Sequence, residues 1–228
     1  MPPELDAPMH WPVVGTASVV DVLEQEGIEG VILAGARGRG RFVGPALTVE
    51  LAVDEAADPF PRGEGPARQV DIAEMWNYLD SAPRGSVLVI STNAQPVTTV
   101  GGVTAATALG RGIAGIVTDG GIRDTDEIYE YAIPIRHLTS DPRAMRDRTR
   151  LRSCGQPVRF GEVRVAVGDL VVGDGDGVVC VPRDVAAGVI ERALVIEGRE
   201  RVWAQSARSL RSIAASFDEV SRVHGRPH

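Results

Sequence analysis

The sequence is poor in the features that mark several large classes of protein. Its 228 residues contain two cysteines, Cys154 and Cys180, too few for a disulfide framework or a cysteine-ligated zinc site. It has no apolar run of about eighteen residues, the minimum for a membrane-spanning helix. The first residues are proline-rich and acidic, unlike an export signal. These absences predict a cytoplasmic protein without a membrane partner.

Aromatic residues and positive charge are also scarce. Phe, Trp and Tyr together make up 4% of the chain, and the formal net charge is -7. A surface for single-stranded nucleic acid needs several exposed rings beside a basic groove, and affinity for the phosphate backbone needs clustered Lys and Arg. The composition therefore predicts no nucleic-acid partner.

What is present is an aliphatic composition typical of a globular protein, with 43% hydrophobic and 24% charged residues. We expect a single domain over residues 1–228. A helix led by two glycines (101–111), a strand (113–118), a second glycine-led turn and a helix (123–131) form a β-α-β-α sequence, which favours parallel pairing. Short β-runs follow, and one long C-terminal helix is expected from about 184 to 219.

Four other features have competing interpretations. The basic segment 35–40 could cradle a phosphate, but it lacks the Lys-Ser/Thr ending of a P-loop, so we interpret it as a flexible linker. The acidic segment 174–177 resembles the start of a calcium loop but lacks the glutamate at the twelfth position, which favours a tight turn. The Pro- and Gly-rich stretch 54–68 is expected to be an exposed excursion. His137, alone after an apolar strand, is expected to be structural.

The chemistry is expected at Arg123 and Asp124, which follow a strand and two glycines. At a helix start, free backbone N–H groups and the positive end of the helix dipole favour a small carboxylate. Arg123 can hold a carboxylate or a developing enolate by charge-assisted hydrogen bonds, and Asp124 can anchor a hydrated magnesium ion. The alternative is that Asp124 is a helix cap and Arg123 a solvated surface charge.

A longer pattern surrounds this pair. It has three parts, which keep their order over most of the chain: Val43-Gly44-Pro45-Ala46-x-Thr48-Val49, then Gly101-x5-Thr107-Ala108-x2-Arg111-Gly112-x-Ala114-Gly115-Ile116-Val117-x-Asp119-Gly120-x-Ile122-Arg123-Asp124-x-Asp126-Glu127-Ile128, and Gly168-Asp169-Leu170-Val171-Val172-x-Asp174-x-Asp176-Gly177-Val178-Val179-x-Val181-Pro182. This pattern resembles the 4-hydroxy-4-methyl-2-oxoglutarate aldolase family, which also contains ribonuclease-E-inhibitor-like proteins. The fold expected is a layered β/β/α (αββα-type) sandwich with a central mixed sheet and a long C-terminal helix.

The resemblance implies a class II aldolase that uses Mg²⁺ or Mn²⁺ to cleave 4-hydroxy-2-oxo acids to pyruvate and a second oxo acid, with oxaloacetate decarboxylation as a side activity. It assigns Asp124 to the metal, Arg123 to the pyruvyl unit, and the backbone of Gly101, Gly102 and Val103 to the substrate carboxylate. It also implies a homotrimer or homohexamer with sites at subunit interfaces. A neighbouring subunit would lend an acidic residue from its C-terminal helix.

That acidic residue is either Glu197 or Glu200, and the sequence does not choose between them. Two departures from the family pattern stand out. Many catalytic relatives carry an acid where this chain has Gly102, and residues 91–95 lack the expected Asp- and Gly-rich sequence. The chain can therefore be a weaker aldolase, an aldolase with a shifted substrate, or a non-catalytic protein-binding regulator resembling the ribonuclease E inhibitors.

Overall fold

The computed structural model describes residues 11–53, 69–145 and 148–224, so the excursion expected over 54–68 lies outside the described residues. The helices are α1 (Thr16–Gln25), α2 (Gln69–Asp80), α3 (Gly102–Arg111), α4 (Thr125–Glu130), α5 (Ala186–Leu210) and α6 (Ile213–His224). The strands are β1 (Val31–Ala34), β2 (Arg37–Arg39), β3 (Phe42–Val53), β4 (Val87–Ser91), β5 (Thr98–Val100), β6 (Gly115–Ile122), β7 (Ile135–Ser140), β8 (Thr149–Cys154), β9 (Val158–Phe160), β10 (Val163–Val165), β11 (Leu170–Gly173) and β12 (Gly177–Val181). No helix in these ranges is both long enough and apolar enough to cross a bilayer.

The strands form a central mixed sheet with the order β1-β12-β11-β3-β4-β6-β7-β2. Its middle is parallel, because β3, β4, β6 and β7 pair in the same direction and β5 adds to β6 in parallel. Both ends are antiparallel. The helices α3 and α4 make the crossovers between parallel strands, which confirms the predicted mixed α/β class.

Alternate side chains of each strand pack into different cores, as the period of two requires. In β4, Leu88 and Ile90 join the core that contains α2, α3 and α4. The intervening Val87 and Val89 join a second core with β9, β10 and β12. Residues on the far side of β11 and β12 pack against α1 and α5 in a third core. The layers therefore run helix, sheet, sheet, helix, as the αββα expectation requires.

The single C-terminal helix expected over 184–219 is wrong, because the structure has two helices there. Arg211 adopts a left-handed conformation (φ 52°) and ends α5, and the Ser212 hydroxyl accepts a backbone N–H from the first turn of α6 (3.2 Å). The second helix folds back, since Trp203 Nε1 donates to Ser216 Oγ at 3.0 Å. A left-handed residue other than Gly or Asn has no strong sequence signal, so the break was missed.

The linker expected over 35–40 is also wrong. Residues 37–39 form the edge strand β2, which pairs antiparallel with β7. Gly38 makes the pairing possible, because it has a φ of 127° and a side chain there would collide with the Ile135 carbonyl. The guanidinium of Arg39 lies 4.5 Å above the centre of the Tyr129 ring, an attractive cation–π contact. By contrast, residues 174–177 form the expected turn, closed by a 3.0 Å bond from the Asp174 N–H to the Gly177 carbonyl.

The turn expected at Gly120 and Gly121 does not exist either, because both residues lie inside β6. Gly121 pairs with Thr98 of β5, and a Cβ on Gly120 would lie 2.7 Å from the Val97 carbonyl oxygen. These glycines therefore allow the backbones of neighbouring segments to approach closely. The strand runs on to Ile122, and the following helix begins at Thr125 instead of Arg123.

His137 is structural, as expected. It is 1% exposed, its Nδ1 lies 2.8 Å from the Thr139 carbonyl oxygen, and its Nε2 lies 3.3 Å from the Tyr129 hydroxyl. The carbonyl can only accept, so Nδ1 carries a proton. Burial lowers the pKa of His137 below its ordinary value.

This shift predicts a pH dependence of stability. When the pH falls through about 6.5, the ordinary pKa of histidine, the unfolded chain takes up a proton that folded His137 still refuses. The free energy of unfolding should therefore be highest above that pH. It should decrease as the pH falls further, until the pH reaches the pKa of His137 in the folded protein. In His137→Gln the decline between pH 7 and pH 5 should be shallower than in the wild type, measured by urea unfolding. Equal slopes would contradict the assignment.

Candidate active site

A cavity of about 260 Å³ opens where β5 and β6 end. Because these parallel strands end at the same edge of the sheet, the residues that follow them meet there, as in other open α/β sheets. The lining residues are Trp76, Thr98, Gly101, Gly102, Val103, Thr104, Arg123, Asp124, Ala144 and Met145. The structure thus brings together five of the seven residues predicted for the site, namely Gly101, Gly102, Val103, Arg123 and Asp124.

Backbone pairing holds the two functional segments side by side. Val100, the last residue of β5, pairs with Ile122, the last residue of β6. The Arg123 N–H then donates to the Val100 carbonyl at 3.0 Å. The segment after β5 enters α3 through Gly101, and the segment after β6 enters α4 through Asp124. Arg123 and Asp124 are therefore fixed against the first turn of α3.

Asp124 has an unusual backbone and an unusual side-chain contact. It adopts the left-handed conformation (φ 56°, ψ 39°), which costs about 1–2 kcal/mol for a residue with a Cβ. It precedes α4, but its side chain makes no capping bond to that helix. Its Oδ2 instead accepts the Gly102 N–H of α3 at 3.0 Å. Asp124 occupies the N-cap position of α4, but the alternative that its side chain caps this helix is wrong.

Gly101 leaves room for this arrangement. A Cβ on Gly101 would lie 3.0 Å from Asp124 Oδ2 and 3.1 Å from Arg123 Nε, tighter than ordinary van der Waals contact. The Gly102 N–H donates its hydrogen bond to Asp124. The N–H groups of Val103 and Thr104 belong to the first turn of α3 and have no partner within the helix. These two amides are the donors that the positive end of α3 can offer a bound carboxylate.

Arg123 and Asp124 remain accessible although they are close to each other. Arg123 Nε lies 3.5 Å from Asp124 Oδ2, and the two side chains are 41% and 40% exposed. An ion pair this exposed contributes little to stability. Either side chain can therefore bind a ligand in place of part of this contact with little loss of stability.

The donor set at this site fits a hydrated hard cation. One Asp124 oxygen is engaged by Gly102, and the carboxylate is a hard ligand of the kind that Mg²⁺ prefers. Within residues 11–53, 69–145 and 148–224, no group of three or more His, Cys, Asp or Glu side chains is arranged to hold a metal ion. A zinc site needs such a group, whereas Mg²⁺ is commonly held by one or two carboxylates and keeps several waters.

Glu197 and Glu200 do not reach the cavity of their own chain. Glu197 lies on α5 with its carboxylate 3.9 Å from the Arg41 guanidinium and near Gly15 at the start of α1. Glu200 is exposed on the same helix. Their contribution to a neighbouring subunit stays a prediction.

Five lining residues were missed in the sequence, namely Trp76, Thr98, Thr104, Ala144 and Met145. Trp76 gave a weak signal, because it is a large aromatic residue, 47% exposed, on the otherwise amphipathic helix α2. Ala144 and Met145 follow β7, whose carboxyl end lies at the same sheet edge as the ends of β5 and β6. The parallel order of the strands could therefore have pointed to them.

Asp119, which belongs to the same family pattern as Arg123 and Asp124, lies outside the cavity and is 3% exposed. Its carboxylate accepts the backbone N–H groups of Thr92 (2.5 Å) and Ala94 (2.9 Å) and the hydroxyls of Thr92 (2.9 Å) and Ser91 (3.2 Å). Ala94 and its neighbour Asn93 both have positive φ angles. Asp119 therefore stabilises the strained turn over residues 91–95, which departs from the family pattern.

Known proteins resemble this chain in sequence and in fold. A family model described as RraA-like, Aldolase/RraA, matches residues 16–180. A protein of Halalkalibacterium halodurans with the provisional name 4-hydroxy-4-methyl-2-oxoglutarate aldolase is 31% identical over 160 residues, which are 65% of this chain and 75% of that protein. Protein DlpA of Legionella pneumophila is 28% identical over 184 residues, 79% of this chain, and the match spans only 28% of that relative's length.

A solved structure supports the same likeness. The chain superposes on Streptomyces coelicolor RraAS2 with a TM-score of 0.70 and 27% identity, over 82% of this chain and 91% of that one. That protein is described as an unusual member of the RNase ES inhibitor RraA protein family. The similar proteins thus include both aldolase names and ribonuclease inhibitors.

Proposed function

The chain belongs to the RraA-like family, Aldolase/RraA, and from that premise we propose that it is a divalent-metal-dependent class II aldolase, a carbon–carbon lyase. It would cleave 4-hydroxy-2-oxo acids to pyruvate and a second oxo acid. The observation that carries the proposal is the carboxylate of Asp124, turned away from its own helix and placed beside Arg123 in the cavity. A strained residue of this kind is more economically explained by a ligand than by stability.

Different residues of the chain would bind different parts of the substrate. Arg123 is suited to hold the pyruvyl oxygens by charge-assisted hydrogen bonds, and the amides of Val103 and Thr104 can receive the substrate carboxylate at the start of α3. Asp124 would hold Mg²⁺ or Mn²⁺. That ion supplies a Lewis acid for the 2-oxo group.

Cleavage of the C3–C4 bond is favoured by the positive charge at the site. Loss of the C4 hydroxyl proton to a base makes C4 a carbonyl, and the electrons of the C3–C4 bond pass to the pyruvyl fragment. The positive charge of Arg123 stabilises this electron-rich fragment until C3 is protonated. Oxaloacetate, which loses CO₂ to leave the same fragment, should be a second substrate.

Another copy of the chain is expected to add an acidic residue to the site. We infer that the protein forms a homotrimer or homohexamer in the cytoplasm, and that Glu197 or Glu200 of a neighbouring subunit completes the site. Glu200 is exposed and Glu197 is half-buried, so both remain available on α5 for contact with a second copy.

The test is a coupled pyruvate assay over a panel of 4-hydroxy-2-oxo acids and oxaloacetate, with Mg²⁺, with Mn²⁺ and with EDTA. Pyruvate should form from at least one 4-hydroxy-2-oxo acid when metal is present, and EDTA should abolish its formation. An absence of turnover on the whole panel with either metal would contradict the proposal.

A second candidate is a protein-binding regulator without turnover. It is favoured by Gly102, which stands where many catalytic relatives carry an acid, and by the structural likeness to RraAS2. Retention of a ribonuclease E-type enzyme by the immobilised protein, together with no turnover in the assay, would favour this candidate.

A further inference from the structure

We propose that the cavity selects 4-hydroxy-2-oxo acids whose C4 carries an alkyl or aryl group larger than methyl, and that Trp76 and Met145 bind that group. This selectivity rests on the proposed function, because it concerns the substrate of the same site. Cleavage would then give pyruvate and a second oxo acid with an apolar side chain. The observation behind it is the uneven distribution of polar and apolar side chains around the cavity.

Polar and apolar lining residues come from different parts of the fold. Arg123, Asp124 and the amides of α3 follow β6 and β5, and in the proposed function they bind the pyruvyl unit and the cation. Trp76 belongs to α2, while Ala144 and Met145 belong to the loop between β7 and β8. The segments that the pyruvyl unit does not need therefore present hydrocarbon to a ligand.

Trp76 is a large apolar side chain left in contact with water. It is 47% exposed, and Val103, which also lines the cavity, is 81% exposed. Helix α2 is anchored in the core by other residues, Met75 and Leu79. An apolar ligand that covers the indole removes apolar surface from water, which is favourable roughly in proportion to the area covered.

A charged group placed against Trp76 would find no partner there. Of the lining residues that the structure describes, Arg123 alone is a cation. Nearby, Arg143 Nε donates to Asp141 Oδ1 at 2.9 Å, and Arg148 Nη1 donates to a backbone carbonyl at 3.0 Å. A carboxylate against the indole would lose water without gaining a hydrogen bond, which is unfavourable. The hydrocarbon group on C4 therefore faces Trp76.

The segment that carries Met145 is held in place at both ends. The Met145 carbonyl accepts the Thr149 N–H and the Thr149 hydroxyl, both at 3.2 Å. At the other end, the Asp141 N–H donates to the Ile122 carbonyl at 2.9 Å, and the Thr98 hydroxyl donates to the Asp141 carbonyl at 3.0 Å. Because this segment is already ordered, little affinity is lost in ordering it when a ligand binds.

The test compares three 4-hydroxy-2-oxoglutarates that differ only in the group on C4, which is methyl, isobutyl or benzyl. In each, the C3–C4 bond breaks, the C4 hydroxyl loses its proton as C4 becomes a carbonyl, and C3 gains a proton, so each yields pyruvate in the same coupled assay. One methylene in an enclosed hydrophobic pocket changes kcat/KM by about 10–200-fold. Because Trp76 is still partly open to solvent, we expect a smaller preference, at least about fivefold for isobutyl and benzyl over methyl.

Trp76→Ala should remove this preference. The ratio of kcat/KM for the benzyl over the methyl substrate should fall to about one, through a higher KM for the benzyl substrate instead of a lower kcat. Trp76→Phe restores a ring and should recover most of the ratio, and Met145→Ala should lower it in part. The matched control is Ile213→Ala, which removes a side chain that is 73% exposed at the start of α6 and should keep the wild-type ratio. Thermal melts and gel filtration establish that each variant keeps its fold and oligomeric state.

The outcomes separate this selectivity from the aldolase proposal. If the wild type cleaves the methyl substrate as efficiently as the two larger ones, the selectivity is overturned and the aldolase proposal stands. A Trp76→Ala protein that lowers kcat/KM equally for all three substrates would also overturn it, because Trp76 would then serve the fold or a subunit contact. If neither these substrates nor the rest of the panel yields pyruvate with metal present, both proposals fail together.

Discussion

Asp124→Asn should abolish tight binding of Mn²⁺ and lower kcat/KM for pyruvate formation by about a thousandfold. Asparagine tolerates the left-handed conformation of this position and can still accept the Gly102 N–H, so the fold should persist. What it lacks is the negative charge that a divalent ion requires of its ligand. A thousandfold corresponds to about 4 kcal/mol of transition-state stabilisation, in the range of several kcal/mol that a Lewis-acid metal supplies.

Two measurements check this prediction. Isothermal titration with Mn²⁺ should show binding to the wild type and none to Asp124→Asn, and the melting temperatures should agree within a few degrees. The Asp126→Asn protein, which loses the same charge two residues away, should behave as the wild type. Unchanged turnover in Asp124→Asn would contradict the assignment of Asp124 to the metal.

The second large effect is expected at Arg123. In Arg123→Met the pyruvyl group loses its positively charged partner. A charge-assisted contact of this kind is worth about 2–5 kcal/mol, so kcat/KM should fall by about thirtyfold or more. Arg123→Lys should recover only part of the loss, because an ammonium does not reproduce the planar, two-pronged donor. Mn²⁺ affinity should be retained in both variants, which separates this effect from that of Asp124.

The matched control for Arg123 is Arg183→Met. The Arg183 side chain is 69% exposed beside Asp184 on the turn before α5, so its loss removes the same charge without changing the cavity. Its kinetics should match those of the wild type. If Arg183→Met lowers kcat/KM as much as Arg123→Met, the effect comes from net charge, and the specific role of Arg123 is wrong.

The position of the site could be predicted from sequence because it depends only on the order of the strands and helices along the chain. A strand, a glycine-led helix and another strand imply parallel pairing, and parallel strands carry the residues that follow them to one edge. This reasoning placed Gly101 and Asp124 together, and α3 begins at Gly102, one residue after the expected start at 101. It required no knowledge of side-chain contacts.

What the sequence could not provide was the conformation of single residues and the contacts between distant segments. The pair Gly120-Gly121 predicts a turn because glycine pairs are common in turns. Glycine is required at position 120 for another reason, since a Cβ there would lie 2.7 Å from the Val97 carbonyl oxygen. Likewise, Asp124 could have been a cap, and only its φ of 56° and its bond to Gly102 exclude that. Such constraints arise from tertiary packing and have no local pattern.

The relation between Gly102 and Glu127 is a similar case. Alone, a glycine in place of an acid suggests lost chemistry. Placed against α4, the same glycine is the opening into which the Glu127 carboxylate fits.

The most direct test is the linkage between pyruvate and the metal. If Asp124 and Arg123 hold one pyruvyl fragment together with a divalent ion, saturating Mn²⁺ should tighten pyruvate binding at least about tenfold, and pyruvate should tighten Mn²⁺ binding by the same factor. Isothermal titration of the wild type measures both, and Asp124→Asn should abolish the coupling. Pyruvate affinity that is the same with and without Mn²⁺ would contradict the shared site.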